Sequence, residues 1–100
     1  MNPFRRRYGI RREEIELEQL IQELGKKYQS IQSGRRPYIT TNQINRYRSV
    51  VEKVIQLPTE HWISREYPVE TVIEQFRAVV SYKDQLFFRN KINLGSPSNP

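Results

Sequence analysis

Ile39-Thr40-Thr41-Asn42-Gln43-Ile44-Asn45-Arg46-Tyr47-Arg48 joins a strong helix start to a basic, amide-rich helix face. Thr40 followed three residues later by Gln43 is a capping-box pattern, in which each side chain accepts a hydrogen bond from the other residue's free backbone N–H. Ile39 before the cap and Ile44 at the fourth helical position fit a hydrophobic staple. Downstream, Ile44, Tyr47, Val51, Val54 and Ile55 recur at helical spacing and predict a buried stripe. The opposite face carries Asn42, Asn45, Arg46, Ser49 and Lys53, with Gln43 and Arg48 at its flanks. Guanidinium and amide groups so placed suit a polyanion, because they donate hydrogen bonds to phosphate oxygens.

Working outward, residues 12–33 place Leu17, Leu20, Ile21, Leu24, Tyr28 and Ile31 on one helical face. Glutamates crowd the first turns and Lys26 and Lys27 come later, the polarity a helix dipole favours. Ser33-Gly34 supplies a C-terminal stop, and Arg35-Arg36-Pro37-Tyr38 a basic linker. The second helix runs from about residue 41 to 57 and ends before Pro58. Thr59 is placed to cap a short turn containing His61, Trp62 and Ile63. Pro68 fits the first position of a third long helix. Its stripe is Val69, Val72, Ile73, Phe76, Val80 and Phe87, widened by Val79, Tyr82 and Leu86. The expected fold is all-α: a small bundle of three to four helices over residues 11–92, with a flexible basic arm at 1–10 and a disordered tail at 93–100.

Hydrophobic residues make up 36% of the 100-residue chain, below the roughly 45–50% of ordinary domains. One small core is therefore expected, with some apolar surface left for a partner. Seventeen basic against eleven acidic residues give a formal charge of +6. Arginine outnumbers lysine 12 to 5, which favours planar phosphate contacts over solvated point charges. A basic balance of this kind points to nucleic acid before an acidic protein. With no cysteine and one histidine, disulfides, thiolate sites and a His-built metal site are excluded. No apolar run approaches a membrane span and no apolar h-region follows the charges at 5–7, so no secretory signal is expected and a soluble, cytoplasmic setting is.

Three groups of basic residues are candidate phosphate contacts. Arg5, Arg6, Arg7, Arg11 and Arg12 stand in the arm and at its junction with the first helix. Arg35 and Arg36 precede the second helix, whose free N–H groups and positive dipole end add attraction for an anion. Asn45, Arg46, Arg48 and Lys53 lie on its outward face, and no acid occurs from residue 35 to 51. Tyr8 and Tyr38 are candidates for stacking on unpaired bases, whereas Tyr47 belongs to the core. Trp62 is expected to fill a gap between helices and His61 to be a surface or partly packed residue. Glu13, Glu14, Glu16 and Glu18 are explained by dipole complementarity rather than metal ligation. With no nucleophile–base set and no phosphate loop, neither an enzyme nor a cofactor is expected.

The segment 39–48 resembles the signature of the helical small subunits of CRISPR effector complexes, where a Thr/Ser-x-Gln-Ile/Leu-Arg-like stretch opens a helix after a basic loop. Val79-Val80-Ser81-Tyr82-Lys83 and Arg89 are similar to the later apolar helix of such chains. The resemblance implies a helical bundle present in several copies, stacked with other subunits inside a crRNA-guided complex. There it would hold the target or displaced strand by its backbone without cutting it. On matching positions that role falls to Arg46 and Arg48, with Arg36 and Lys53 supporting. The chain departs from the pattern at Asn45, where the family carries a basic residue. Two other readings stand beside it: a helix-turn-helix DNA-binding regulator with residues 41–56 as recognition helix, and a helical protein-interaction adaptor.

Overall fold

Thr40 has the extended backbone an N-cap requires (φ −85°, ψ 161°). Its Oγ1 accepts from the Gln43 N–H at 3.0 Å, and its own N–H donates to Gln43 Oε1 at 2.8 Å. The capping box thus closes in both directions. The computed structural model describes residues 11–95, with side chains as far as Leu86. Within them α1 spans Arg12–Gln32, α2 Thr41–Gln56, α3 Trp62–Glu66 and α4 Val69–Gly95, an all-helical arrangement. The arm at 1–10, residues 96–100 and the Phe87 side chain lie outside the described residues.

In α2 the buried stripe is Ile44, Tyr47, Val50 and Val54. This corrects the expectation at two positions. Val50 lies three residues from Tyr47 and four from Val54, on the face they share. Ile55 is turned about 100° from Val54 and is 56% exposed. Ile39 and Ile44, the staple pair, are both buried in the common core.

In α1, Leu17, Ile21 and Leu24 are buried, and Leu20, Tyr28 and Ile31 pack partly buried against them. Ser33 is the C-cap and Gly34 takes φ +84°. The Gly34 N–H donates to the Ile31 carbonyl and the Arg35 N–H to that of Ser30, each at 3.0 Å, completing a Schellman motif. The two glycines of this region therefore respond oppositely to alanine. Gly34→Ala forces a Cβ into the left-handed region and lowers stability by about 1 kcal/mol. A Cβ at helical Gly25 would meet Gln75 Oε1 at 3.7 Å, an ordinary contact. Gly25→Ala should then raise stability by about 0.5–1 kcal/mol. Urea denaturation of both variants tests the pair, and equal signs would contradict it.

Cross-connections set the topology. The Tyr47 hydroxyl donates to Glu23 at 2.6 Å and the Trp62 indole N–H to Glu14 at 3.2 Å, so α2 returns antiparallel along α1. Helix α4 then packs against both. It starts beside Tyr67 and reaches the α1–α2 connection, where the Tyr82 hydroxyl and Lys83 Nζ donate to the carbonyls of Pro37 and Ile39, each at 2.7 Å. Ile63 of α3 is fully buried beneath, along with Leu24, Tyr47 and Val79.

Three further expectations need correction. The cap of α3 is His61, whose Nδ1 accepts from the Ile63 N–H at 3.1 Å; Thr59 instead donates to its neighbour Glu60. Pro68 stands just before α4, its carbonyl accepting from Thr71 and Val72. Residues 93–95 are helical rather than tail, because Gly95 and Pro97 are the first breakers after Leu86.

The α1 glutamates do more than complement a dipole. Glu14, Glu18 and Glu23 each accept a hydrogen bond from an aromatic side chain, respectively Trp62, Tyr67 and Tyr47. Glu14 also meets His61 Nε2 at 3.0 Å. Because His61 Nδ1 accepts from a backbone N–H, the neutral ring carries its proton on Nε2 and donates it to Glu14. The Trp62 hydrogen bond, followed by that of His61, holds the Glu14 carboxyl below its ordinary value of 4.5. A carboxylate depressed in the folded state stabilises it above the unfolded pKa and loses that contribution as pH falls through the depressed value. The urea midpoint should accordingly drop as pH falls below the ordinary Glu14 value of 4.5. Glu14→Gln should flatten this fall, and an unchanged profile would count against the interaction.

Candidate nucleic-acid interface

The outward side of α2 follows from its inward one. With Ile44, Tyr47, Val50 and Val54 turned into the core, Asn42, Asn45, Arg46, Ser49 and Lys53 fall on the exposed face. Arg48 is exposed at the edge facing α4. Its Nη1 donates to Asn45 Oδ1 at 3.2 Å, one turn earlier. Asn45 therefore positions a guanidinium while keeping its own amide N–H₂ available.

Arg35, Arg36 and Tyr38 ride on the connection between α1 and α2, exposed, with Tyr38 82% accessible. The connection is fastened at three points: the Schellman motif at its start, the capping box at its end, and Tyr82 and Lys83 from beside it. Two backbone carbonyls of the loop are thus satisfied by α4, and its arginines project from a fixed platform. Among the described residues, Arg35, Arg36, Arg46, Arg48 and Lys53 have no carboxylate within 4.0 Å. Glu52, four residues from Arg48 and adjacent to Lys53, makes no ion pair with either within 4.0 Å.

The expected sites do not form one cluster. Arg11 and Arg12 are exposed at the start of α1, at the end of the bundle where Glu14 meets His61 and Trp62. Arg35 follows the opposite end of α1, whose 21 residues span roughly 30 Å. Arg5, Arg6, Arg7 and Tyr8 lie outside the described residues. What the fold does bring together is the connection and the α2 face, with Lys53 towards the far end.

Comparison with protein-family models, curated proteins and solved structures finds no match.

Arg77 of α4 belongs with this surface and was not anticipated. It lines a groove with Arg48, Phe76 and Val80. Its only sequence signal was a base on the polar side of an apolar helix, and nothing in the chain's order places it beside α2. Tyr47 is fully buried, as expected, and His61 is a half-buried cap rather than a ligand. Among the described residues no group of three or more His, Asp or Glu side chains could hold a metal ion. No helix among them is long and apolar enough to cross a membrane.

Proposed function

We propose that this chain is a non-catalytic, sequence-independent nucleic-acid-binding subunit of a CRISPR RNA-guided effector complex, working in the cytoplasm. It contacts the backbone of the target or displaced strand and packs against other subunits in several copies. One observation carries the binding part: five exposed cations, Arg35, Arg36, Arg46, Arg48 and Lys53, ride on the loop before α2 and on the two flanks of its outward side, with no carboxylate within 4.0 Å among the described residues. The assembly part is supported by the likeness of residues 39–48 to the small-subunit signature.

Phosphate contact fixes register and orientation but carries no base information. The α2 face has arginines and amides on a convex helix, a form suited to a backbone. The helix-turn-helix alternative is less well supported, since the eight residues 33–40 separate α1 from α2 where that motif uses a turn of about 3–4. Titration against several unrelated oligonucleotides at rising salt tests the proposal. Affinities should agree across sequences and fall together with salt; a marked preference for one sequence, or indifference to salt, removes it.

A further inference from the structure

Between α2 and α4 runs an open groove of about 500 Å³. Its floor is Phe76 and Val80, four residues apart on α4 and half-buried against the core. One wall is the next row of α4, carrying Arg77, Ser81 and Asp84, and the other is Arg48 of α2. We infer that this groove receives one unpaired base of a single-stranded nucleic acid, stacked over Phe76 and Val80, with its flanking phosphate between Arg48 and Arg77. The inference rests on the binding function proposed above and adds the form of the ligand.

Size and charge select this occupant. A docked amphipathic helix needs apolar anchors over two turns or more, whereas the apolar part of this groove is one ring and one valine, room for a planar base with its sugar and phosphate. Both walls bring a guanidinium that has no carboxylate within 4.0 Å among the described residues. Asp84 lies seven residues beyond Arg77, about 10.5 Å along the helix, and repels phosphate from the end near the α1–α2 connection. A duplex keeps its bases stacked inside and cannot use the floor. An aromatic ring that stacks on a base is indifferent to which base it meets, so single-strand preference is compatible with absence of sequence preference.

The full chain is titrated with a single-stranded homopolymer and with a duplex of matched phosphate number, using wild type, Phe76→Leu, Arg77→Gln and Asp84→Asn. The single strand should bind about tenfold tighter than the duplex. Phe76→Leu, which keeps an apolar side chain, should lose about tenfold on the single strand and little on the duplex. Arg77→Gln should weaken single-strand binding, and Asp84→Asn should strengthen it about twofold. In wild type, 5-iodouracil in the strand should photocross-link to Phe76. Equal affinity for strand and duplex, or cross-links only outside the groove, overturns the inference while the backbone-binding proposal stands. Val80 methyl resonances that shift with protein concentration instead of oligonucleotide would show a second copy in the groove and overturn it too. Absence of any nucleic-acid binding removes both readings.

Discussion

Tyr47→Ala is expected to lower the free energy of unfolding by about 3–5 kcal/mol. Stability of small domains amounts to only about 5–15 kcal/mol, so the variant should be largely unfolded at mild denaturant concentrations. Tyr47 is the largest fully buried side chain described, and it sits where α2 meets α1. Truncation removes its ring from the shared core and leaves a cavity there. It also deprives Glu23 of a hydroxyl at 2.6 Å. Tyr47→Phe separates the two contributions. It keeps the ring and removes only the donor, and should cost about 1 kcal/mol. Burial first, and Glu23 second, push the Tyr47 hydroxyl well above its ordinary 10.0, and burial with Glu18 takes Tyr67 up to about 12. Raised phenol values stabilise the fold fully below the unfolded pKa and are lost as pH rises past it. The native state should therefore weaken above about pH 10, and less so in Tyr47→Phe. Urea melts followed by far-UV circular dichroism measure all three effects. A Tyr47→Ala variant within 1 kcal/mol of wild type would refute this view of the core.

The other large effect concerns the surface. Replacing Arg35, Arg36, Arg46 and Arg48 together with glutamine should reduce affinity for a single-stranded oligonucleotide by about three orders of magnitude near 0.1 M salt. The estimate follows from counterion release: each phosphate contact contributes roughly 0.7 to the slope of log affinity against log salt on single strands and roughly 0.9 on duplex DNA. Four lost contacts should accordingly flatten the slope by about 2.8 on single strands. These positions are exposed, so the variant should melt close to wild type, and a collapse of stability would implicate them in the fold instead. Fluorescence anisotropy across a salt series gives affinity and slope from one data set. An unchanged slope with reduced affinity would mean the arginines act other than through phosphates. An unchanged affinity together with intact partner binding would favour the adaptor reading.

Local chemistry was legible wherever neighbours in sequence are also neighbours in space. The capping box at Thr40 and Gln43, the Ser33-Gly34 stop, the faces of α1 and α2 and the burial of Tyr47 all follow from i, i+3 and i+4 relations. The exposed set Asn45, Arg46, Arg48 and Lys53 follows as the complement of the core stripe. Misreadings arose where a short-range rule had two solutions. Val50 and Ile55 both border the apolar stripe of α2, and only the position of α1 and α4 decides which one is covered. Likewise Thr59 is the residue type that favours a cap, yet His61, held by the carboxylate of Glu14 47 residues away, takes that position.

Order along the chain thus determined the periodicity of the three long helices, the punctuation between α1 and α2, and a basic stretch from residue 35 to 51 without an acid. Tertiary packing alone decided that three α1 glutamates serve aromatic donors, that Lys83 and Tyr82 fasten the basic loop, and that Arg77 faces Arg48 across a groove. The physical reason is range: helix propensity, capping and amphipathic spacing act within about one turn, whereas the meeting of side chains from different helices depends on how those helices close over a shared core.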